Sequence, residues 1–195
     1  MITEPTYFEG QFLVAMPHMG DTRFENTVIF ICAHNEDGAM GFIVNRPLPS
    51  PTPIEFFVKL GLITELDSPK IPEKVANSEL NTGGPVEPGR GFVLHSADYS
   101  SETTLKVNDQ VSLTATLEIL RDIAVGKGPI DFLMALGYSG WGAGQLEDEI
   151  AANGWLTSQH CPEIIYSRDH DGKYHQIMRS MGIDPRLISG ETGHA

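Results

Sequence analysis

The segment Gly140-Trp141-Gly142-Ala143-Gly144-Gln145 follows an apolar run and precedes an acidic one, where a dinucleotide-binding turn would stand. Alternating glycines at such a place let backbone amides approach a pyrophosphate at a helix N-terminus. The sixth position of that fingerprint needs glycine for close helix packing, and here it is Gln145. Glu147, Asp148 and Glu149 follow at once, and carboxylates in a first helical turn complement the positive helix end and repel an incoming phosphate. The pattern therefore reads as a structural strand-to-helix turn. Ser139 lies near the centre of a nucleophile elbow, but Trp141 stands where that motif requires glycine, and an indole there would crowd the sharp turn. Ser139 reads as a small packing residue.

The seven histidines form no ligand set in sequence. His170 and His175 are five apart, whereas a helical ligand pair needs a spacing of roughly three or four. Asp169-His170-Asp171-Gly172 opens like a calcium loop, but Lys173 and Tyr174 replace the later ligand and the required glycine, so a turn is the simpler reading. His18, His34 and His95 each close an apolar run, and a satisfied strand-end imidazole is favoured over a catalytic base. No cofactor and no metal are expected.

One constellation carries a binding reading. Asn45 and Arg46 end one apolar run, while Gly83, Gly84, Arg90 and His95 bracket another, so free amides and two guanidinium groups could converge on an anion. The alternative, which the local chemistry favours, is that the glycines shape a turn while Asn45 and Arg46 bond neighbouring carbonyls.

Charge restricts the partners. Twenty-six acidic residues against 13 basic ones give a net charge of −13, and no lysine or arginine cluster interrupts it. Such a surface repels a phosphate backbone, which disfavours nucleic acid as a direct partner. Cys32 and Cys161 show neither CxxC nor zinc spacing and read as reduced thiols, although a disulfide between them is possible. No window has the roughly eighteen apolar residues of a membrane helix, and the N-terminus lacks the basic and apolar regions of a signal peptide, so a cytoplasmic location without membrane contact is expected.

The elements that must position these residues are short. Apolar, β-branched runs predict strands over 11–16, 27–33 and 41–45, with Glu36-Asp37-Gly38 as a hairpin turn. Pro47, Pro49, Pro51 and Pro53 form a stiff connector, and Phe56, Phe57 and Leu60 predict a short helix ended by Gly61. Residues 64–77 read as an irregular surface stretch. Strands follow over 79–82, 90–96, 103–107, 110–113 and 132–138, and Leu117, Leu120 and Ala124 mark one face of a helix between the last two. A helix is predicted over 144–153, stopped by Gly154, then a strand over 164–167, and a last helix carrying Tyr174, Ile177, Met178 and Met181. Strands cluster early and helices late, so the class is α+β, in one domain of 195 residues without a visible linker.

The stretches GQFLVAMP, GAMGFIVNRP, GGPVEPGRGFVLH and GYSGWGAGQLE together resemble the YqgE/AlgH family of bacterial proteins, over about residues 8 to 195. The resemblance extends to the closing Gly193-His194-Ala195. It implies a bifurcated, largely antiparallel sheet containing a small closed barrel, surrounded by helices. It also implies alanine at the position of Ser139, and it brings no agreed catalytic residue.

Two functions from different classes follow. The first is a non-enzymatic cytoplasmic protein acting through a partner protein or small ligand, with any regulatory role exerted indirectly. The second is an enzyme for a small anionic substrate that uses His18, Asp21 and His95 as acid and base groups, with Arg46 or Arg90 holding the anion. Direct DNA binding is a third and weaker reading.

Overall fold

The run Val28-Ile29-Phe30-Ile31-Cys32 has apolar side chains on both sides of an extended chain, which suits only a strand covered on both faces. In the computed structural model it is the first part of such a strand, and all five residues are fully buried. The structure describes residues 7–17, 19–159 and 161–184. His18 and the closing Gly193-His194-Ala195 lie outside them.

The chain divides into two compact units, one of residues up to Asn45 and from Ser139 onward, the other Arg46–Tyr138. The first unit opens with β1 (Phe12–Ala15), β2 (Val28–Asn35) and β3 (Gly38–Ile43). The second contains α1 (Pro53–Lys59), α2 (Glu73–Ala76), β4 (Leu80–Thr82), β5 (Val86–Ser96), β6 (Leu105–Lys106), β7 (Val111–Thr114) and α3 (Leu117–Ala124). Strand β8 (Phe132–Gly142) begins in the second unit and ends in the first, which α4 (Gln145–Ala151), β9 (Trp155–Ser158) and α5 (His170–Ser180) complete. The chain crosses between the units twice, after β3 at Asn45–Arg46 and within β8 at Tyr138–Ser139.

In the first unit the strands run β9-β1-β2-β3-β8, each pair antiparallel. The β2–β3 hairpin turns at Glu36-Asp37, where Asn35 Oδ1 accepts from the Asp37 amide at 2.9 Å. Leu13, Ala15, Ile29, Ile31 and Ile43 share a face with Trp141, Leu146 and Trp155. In the second unit the order is β6-β7-β5-β8-β4, antiparallel except for β4 on β8. Its core gathers Phe56 and Phe57 from α1, Val75 from α2, Ile119, Leu120 and Ile123 from α3, and Val93 and Met134 from the sheet. The α+β class holds. Neither strand set returns to pair its last strand with its first, so the small closed barrel is replaced, among the described residues, by open sheets.

Several local expectations are corrected. Residues 64–77 hold a 3-10 turn, Glu65–Lys70, and helix α2, because Ile71 and Val75 are buried against α1 and α3 rather than left at the surface. The strand expected over 164–167 is a 3-10 turn, Pro162–Tyr166, started by Pro162 and anchored by buried Ile164 and Ile165. Strand β9 was not expected, since its four residues carry no alternation long enough to register. On α3 the buried face is Ile119, Leu120, Ile123 and Ala124, and Leu117 at the first position is half exposed. Both thiols are free; Cys161 is exposed, whereas burial pushes the Cys32 thiol well up.

Candidate functional site

The glycine-rich run is mostly strand. Met40 pairs with Gly140 and Gly38 with Gly142, so β8 continues through the segment expected to turn. Trp141 alone in that run points into the core, and the glycines flank it. The bend is confined to Ala143-Gly144, where Gly144 has φ 73° and acts as the N-cap of α4, a left-handed backbone that glycine adopts without strain. Ser139 lies within β8 and is 1% exposed, so it is not the tip of an elbow.

Helix α4 closes through a Schellman arrangement. Asn153, at φ 58°, donates its amide to Ile150 O at 2.9 Å, and Gly154 donates to Glu149 O at 2.8 Å. The left-handed residue is thus Asn153 rather than Gly154. The chain then enters β9, where Trp155 pairs with Ala15 of β1. Cap and pairing together fix where Trp155 stands relative to α4.

Both tryptophans of the chain converge on one oxygen of α4. Glu149 Oε2 accepts from Trp141 Nε1 at 2.9 Å and from Trp155 Nε1 at 2.7 Å, and Oε1 accepts from Gln145 Nε2 at 2.9 Å. Gln145 in turn accepts from the Gly142 amide at 3.0 Å. The indoles meet edge to face at 6.0 Å, and Phe24 stands edge to face on Trp155 at 5.5 Å. Beside them lies a cavity of about 300 Å³ lined by Met19, Asp21, Phe24, Glu149, Asn153 and Trp155, together with Ala152 and Gly154. Asp21 is paired with Arg23 at 2.7 Å, and the hydrogen bonds from Arg23 hold its carboxyl below the usual range.

The neighbouring carboxylate Glu147 serves the sheet instead. His34 on β2 accepts the Phe8 amide at Nδ1, 3.0 Å away, which leaves Nε2 to donate to Glu147 Oε1 at 3.1 Å. Phe8 stacks on the imidazole at 5.5 Å and Tyr7 meets it edge-on at 5.2 Å. His34 is therefore a satisfied strand-end histidine with both nitrogens engaged. The carboxylates read as a helix-end group thus divide: Glu147 goes to His34 and Glu149 to the indoles.

Five of the six residues of the expected anion constellation, Asn45, Arg46, Gly83, Arg90 and His95, have protein partners. Asn45, in the first unit, accepts from the Val28 amide and donates to Asn26 O, each at 2.9 Å. In the second unit the Arg46 carbonyl accepts from Thr82, and the Gly83 amide donates to Leu136 O at 2.8 Å. Gly84 lies in a segment that passes over Gly137 of β8. A Cβ on Gly137 would stand 2.6 Å from Gly84 O and 2.8 Å from Val86 O. Arg90 is exposed, paired with Glu87 at 3.3 Å and 5.0 Å from the Phe92 ring. His95 is wholly buried, donating through Nδ1 to Ser96 O and accepting at Nε2 from Thr114 Oγ1, both at 2.9 Å. Burial lowers its pKa and keeps it neutral. An anion at Asn45, the Gly83 amide or His95 would have to displace those contacts.

Of the enzymatic set, Asp21 borders the cavity, His95 is sealed inside the other unit, and His18 lies outside the described residues. Asp169-His170-Asp171-Gly172 is the N-terminus of α5, capped by Asp169 Oδ1 accepting from Gly172 at 2.9 Å, which is why an acidic start with glycine imitates a calcium loop. Among the described residues no group of His, Cys, Asp and Glu is placed to hold a metal ion, and no helix is long and apolar enough to cross a membrane.

Residues 12–186 match the AlgH-like family. The chain belongs to that family. AlgH-like relatives include a UPF0301 protein of Rhizobium meliloti (strain 1021), 50% identical over 194 residues that cover all of this chain and 96% of the relative. Another, from Bradyrhizobium sp. (strain BTAi1), is 50% identical over 97% of this chain and 88% of its own length. Among AlgH-like structures, the solution structure of the AlgH protein from Pseudomonas aeruginosa superposes with a TM-score of 0.77 at 34% identity and full coverage of both chains. A crystal structure of a protein from Corynebacterium diphtheriae shares the fold at 18% identity and a TM-score of 0.68.

Met19, Phe24, Glu149, Asn153 and Trp155 were not singled out from sequence. The available signal was that the two tryptophans flank an acidic helix, with Gly154 beside one of them.

Proposed function

We propose that this AlgH-like protein binds a small molecule and is not a catalyst, and that the ligand enters the cavity bordered by Glu149 and Trp155. The observation that carries this reading is the cavity itself. Its volume of about 300 Å³ suits a compact metabolite. Its wall is also pre-organised, because one carboxylate fixes both indoles before any ligand arrives. The engaged nitrogens of His34 and His95 and the buried position of Ser139 add support, since these three candidates are occupied or enclosed. Any regulatory effect would then pass through ligand occupancy or a partner protein rather than through contact with DNA.

The test is a screen of common metabolites by thermal shift and by NMR of the Trp155 indole and the Asn153 and Gly154 amides. At least one compound should raise the melting temperature and move these resonances together. Binding that moves only resonances of the second unit, or turnover unaffected by substitutions around the cavity, would overturn the reading.

A further inference from the structure

We infer that the ligand of this cavity is a small organic cation, an amine or quaternary ammonium compound. The inference rests on the binding reading above and adds its chemical class. Glu149 carries the argument. Its three donors are two indoles and a carboxamide, all neutral, so they solvate the carboxylate without cancelling its charge. Three of about four acceptor positions on a carboxylate are thereby filled. One ammonium N–H, or a methylated nitrogen needing no hydrogen bond, matches what is left.

The other walls agree. Phe24 and Trp155 supply rings whose quadrupoles attract cations, and Met19 supplies a polarisable thioether. Asp21 is already neutralised by Arg23, whose guanidinium lies 5.7 Å from the Phe24 ring, so the protein itself places a cation against two residues of this site. Ala152, the C-cap of α4, lines the cavity, and the negative end of a helix favours positive charge. Among the described residues lining the cavity, none has a cationic side chain. An adjoining cavity of about 220 Å³ shares Met19 and Asp21 and adds Glu25, and none of the described residues lining it has a cationic side chain. The chain's charge of −13 steers cations toward it and anions away.

The experiment titrates the intact protein with choline, n-butylamine and 3,3-dimethyl-1-butanol, the last being the uncharged isostere of choline, and with butyrate. Tryptophan fluorescence and the Trp155 indole resonance report occupancy. Choline or butylamine should bind at least about tenfold more tightly than the alcohol, with butyrate weakest. A preference for choline over butylamine would assign a methylated ammonium, and the reverse a primary amine. Glu149→Gln should remove the preference for charge. Because that change also touches both indoles, Ala152→Lys provides a second variant that leaves Glu149 in place. It should weaken cation binding about tenfold more than binding of the alcohol, because any steric effect of the new side chain is common to both ligands. Equal binding of choline and the alcohol, or a neutral or anionic metabolite bound at the same resonances, would overturn the cationic class and leave the binding reading intact. If nothing bound at these resonances, both would fail.

Discussion

Trp155 donates its indole N–H to Glu149 Oε2 at 2.7 Å, and the same oxygen takes the indole of Trp141. Two aromatic side chains from separate strands are thus held by a single helix residue. Glu149→Ala would leave two indole donors in the core without an acceptor. It should lower stability by roughly 2 to 4 kcal/mol, because each stranded donor bears its desolvation cost. Glu149→Gln should cost less, since its amide oxygen still accepts. Urea unfolding followed by tryptophan fluorescence measures both, and an alanine variant as stable as the wild type would contradict the arrangement.

Two glycines separate backbone strain from steric contact. Gly144, at φ 73°, has open space where a Cβ would go, so Gly144→Ala should cost only about 1 kcal/mol. Gly137, at φ 70°, has two carbonyl oxygens inside contact distance, and Gly137→Ala should cost about 3 kcal/mol or more. Equal losses in thermal or chemical unfolding would mean that the segment crossing Gly137 yields easily.

His95 gives stability a pH dependence with a defined sign. Burial lowers its pKa in the folded protein below the ordinary value of 6.5. The unfolded chain therefore takes up the proton more readily, and protonation favours unfolding. The contribution of neutral His95 is complete above about pH 6.5 and is lost as pH falls through that value toward the folded pKa. Unfolding at a series of pH values should show this decline, and His95→Gln should flatten it. An NMR titration placing His95 above 6.5 would reverse the sign.

Duplex DNA should show no measurable affinity at physiological salt. With a charge of −13 and no cation cluster in the sequence, few condensed counterions could be released on contact. Fluorescence anisotropy with a labelled duplex tests this, and micromolar binding with a steep salt slope would refute it.

The sequence made the scaffold legible wherever one strong local preference acted alone. Val28 to Cys32 reads as a strand, and Pro53 suits both the end of a proline connector and a first helical turn, which Thr52 and Glu55 close into a capping box. It misled where one pattern serves two structures. Asp169 ahead of Gly172 suits both a calcium loop and a helix cap, and Ile164-Ile165 after Pro162 is too short for periodicity to tell strand from 3-10 turn. The candidate site was barely legible. Asp21 was named among the acid and base groups, but Glu149 looked like one of three equivalent charges. Only the folding of Trp141 and Trp155 onto it tells it apart from Glu147 and Asp148. Arginine beside glycine suggests an anion site, whereas Arg46, Gly83 and His95 have partners distant in sequence, Thr82, Leu136 and Thr114, and Arg90 pairs locally with Glu87.

Lys173 on α5 is 1% exposed and donates to Val44 O at 2.6 Å and Ile165 O at 2.9 Å. Amine-reactive acylating reagents need a neutral, solvent-reached nitrogen, and this nitrogen is enclosed between two carbonyls of its own unit. In a labelling time course, surface positions such as Lys70 and Lys106 should react at once, while Lys173 waits for α5 to lift. Its rate of acylation, read by peptide mass spectrometry, becomes an internal clock for opening of the unit that holds the candidate pocket. A ligand that tightens that unit should slow the clock without altering the labelling of the exposed lysines.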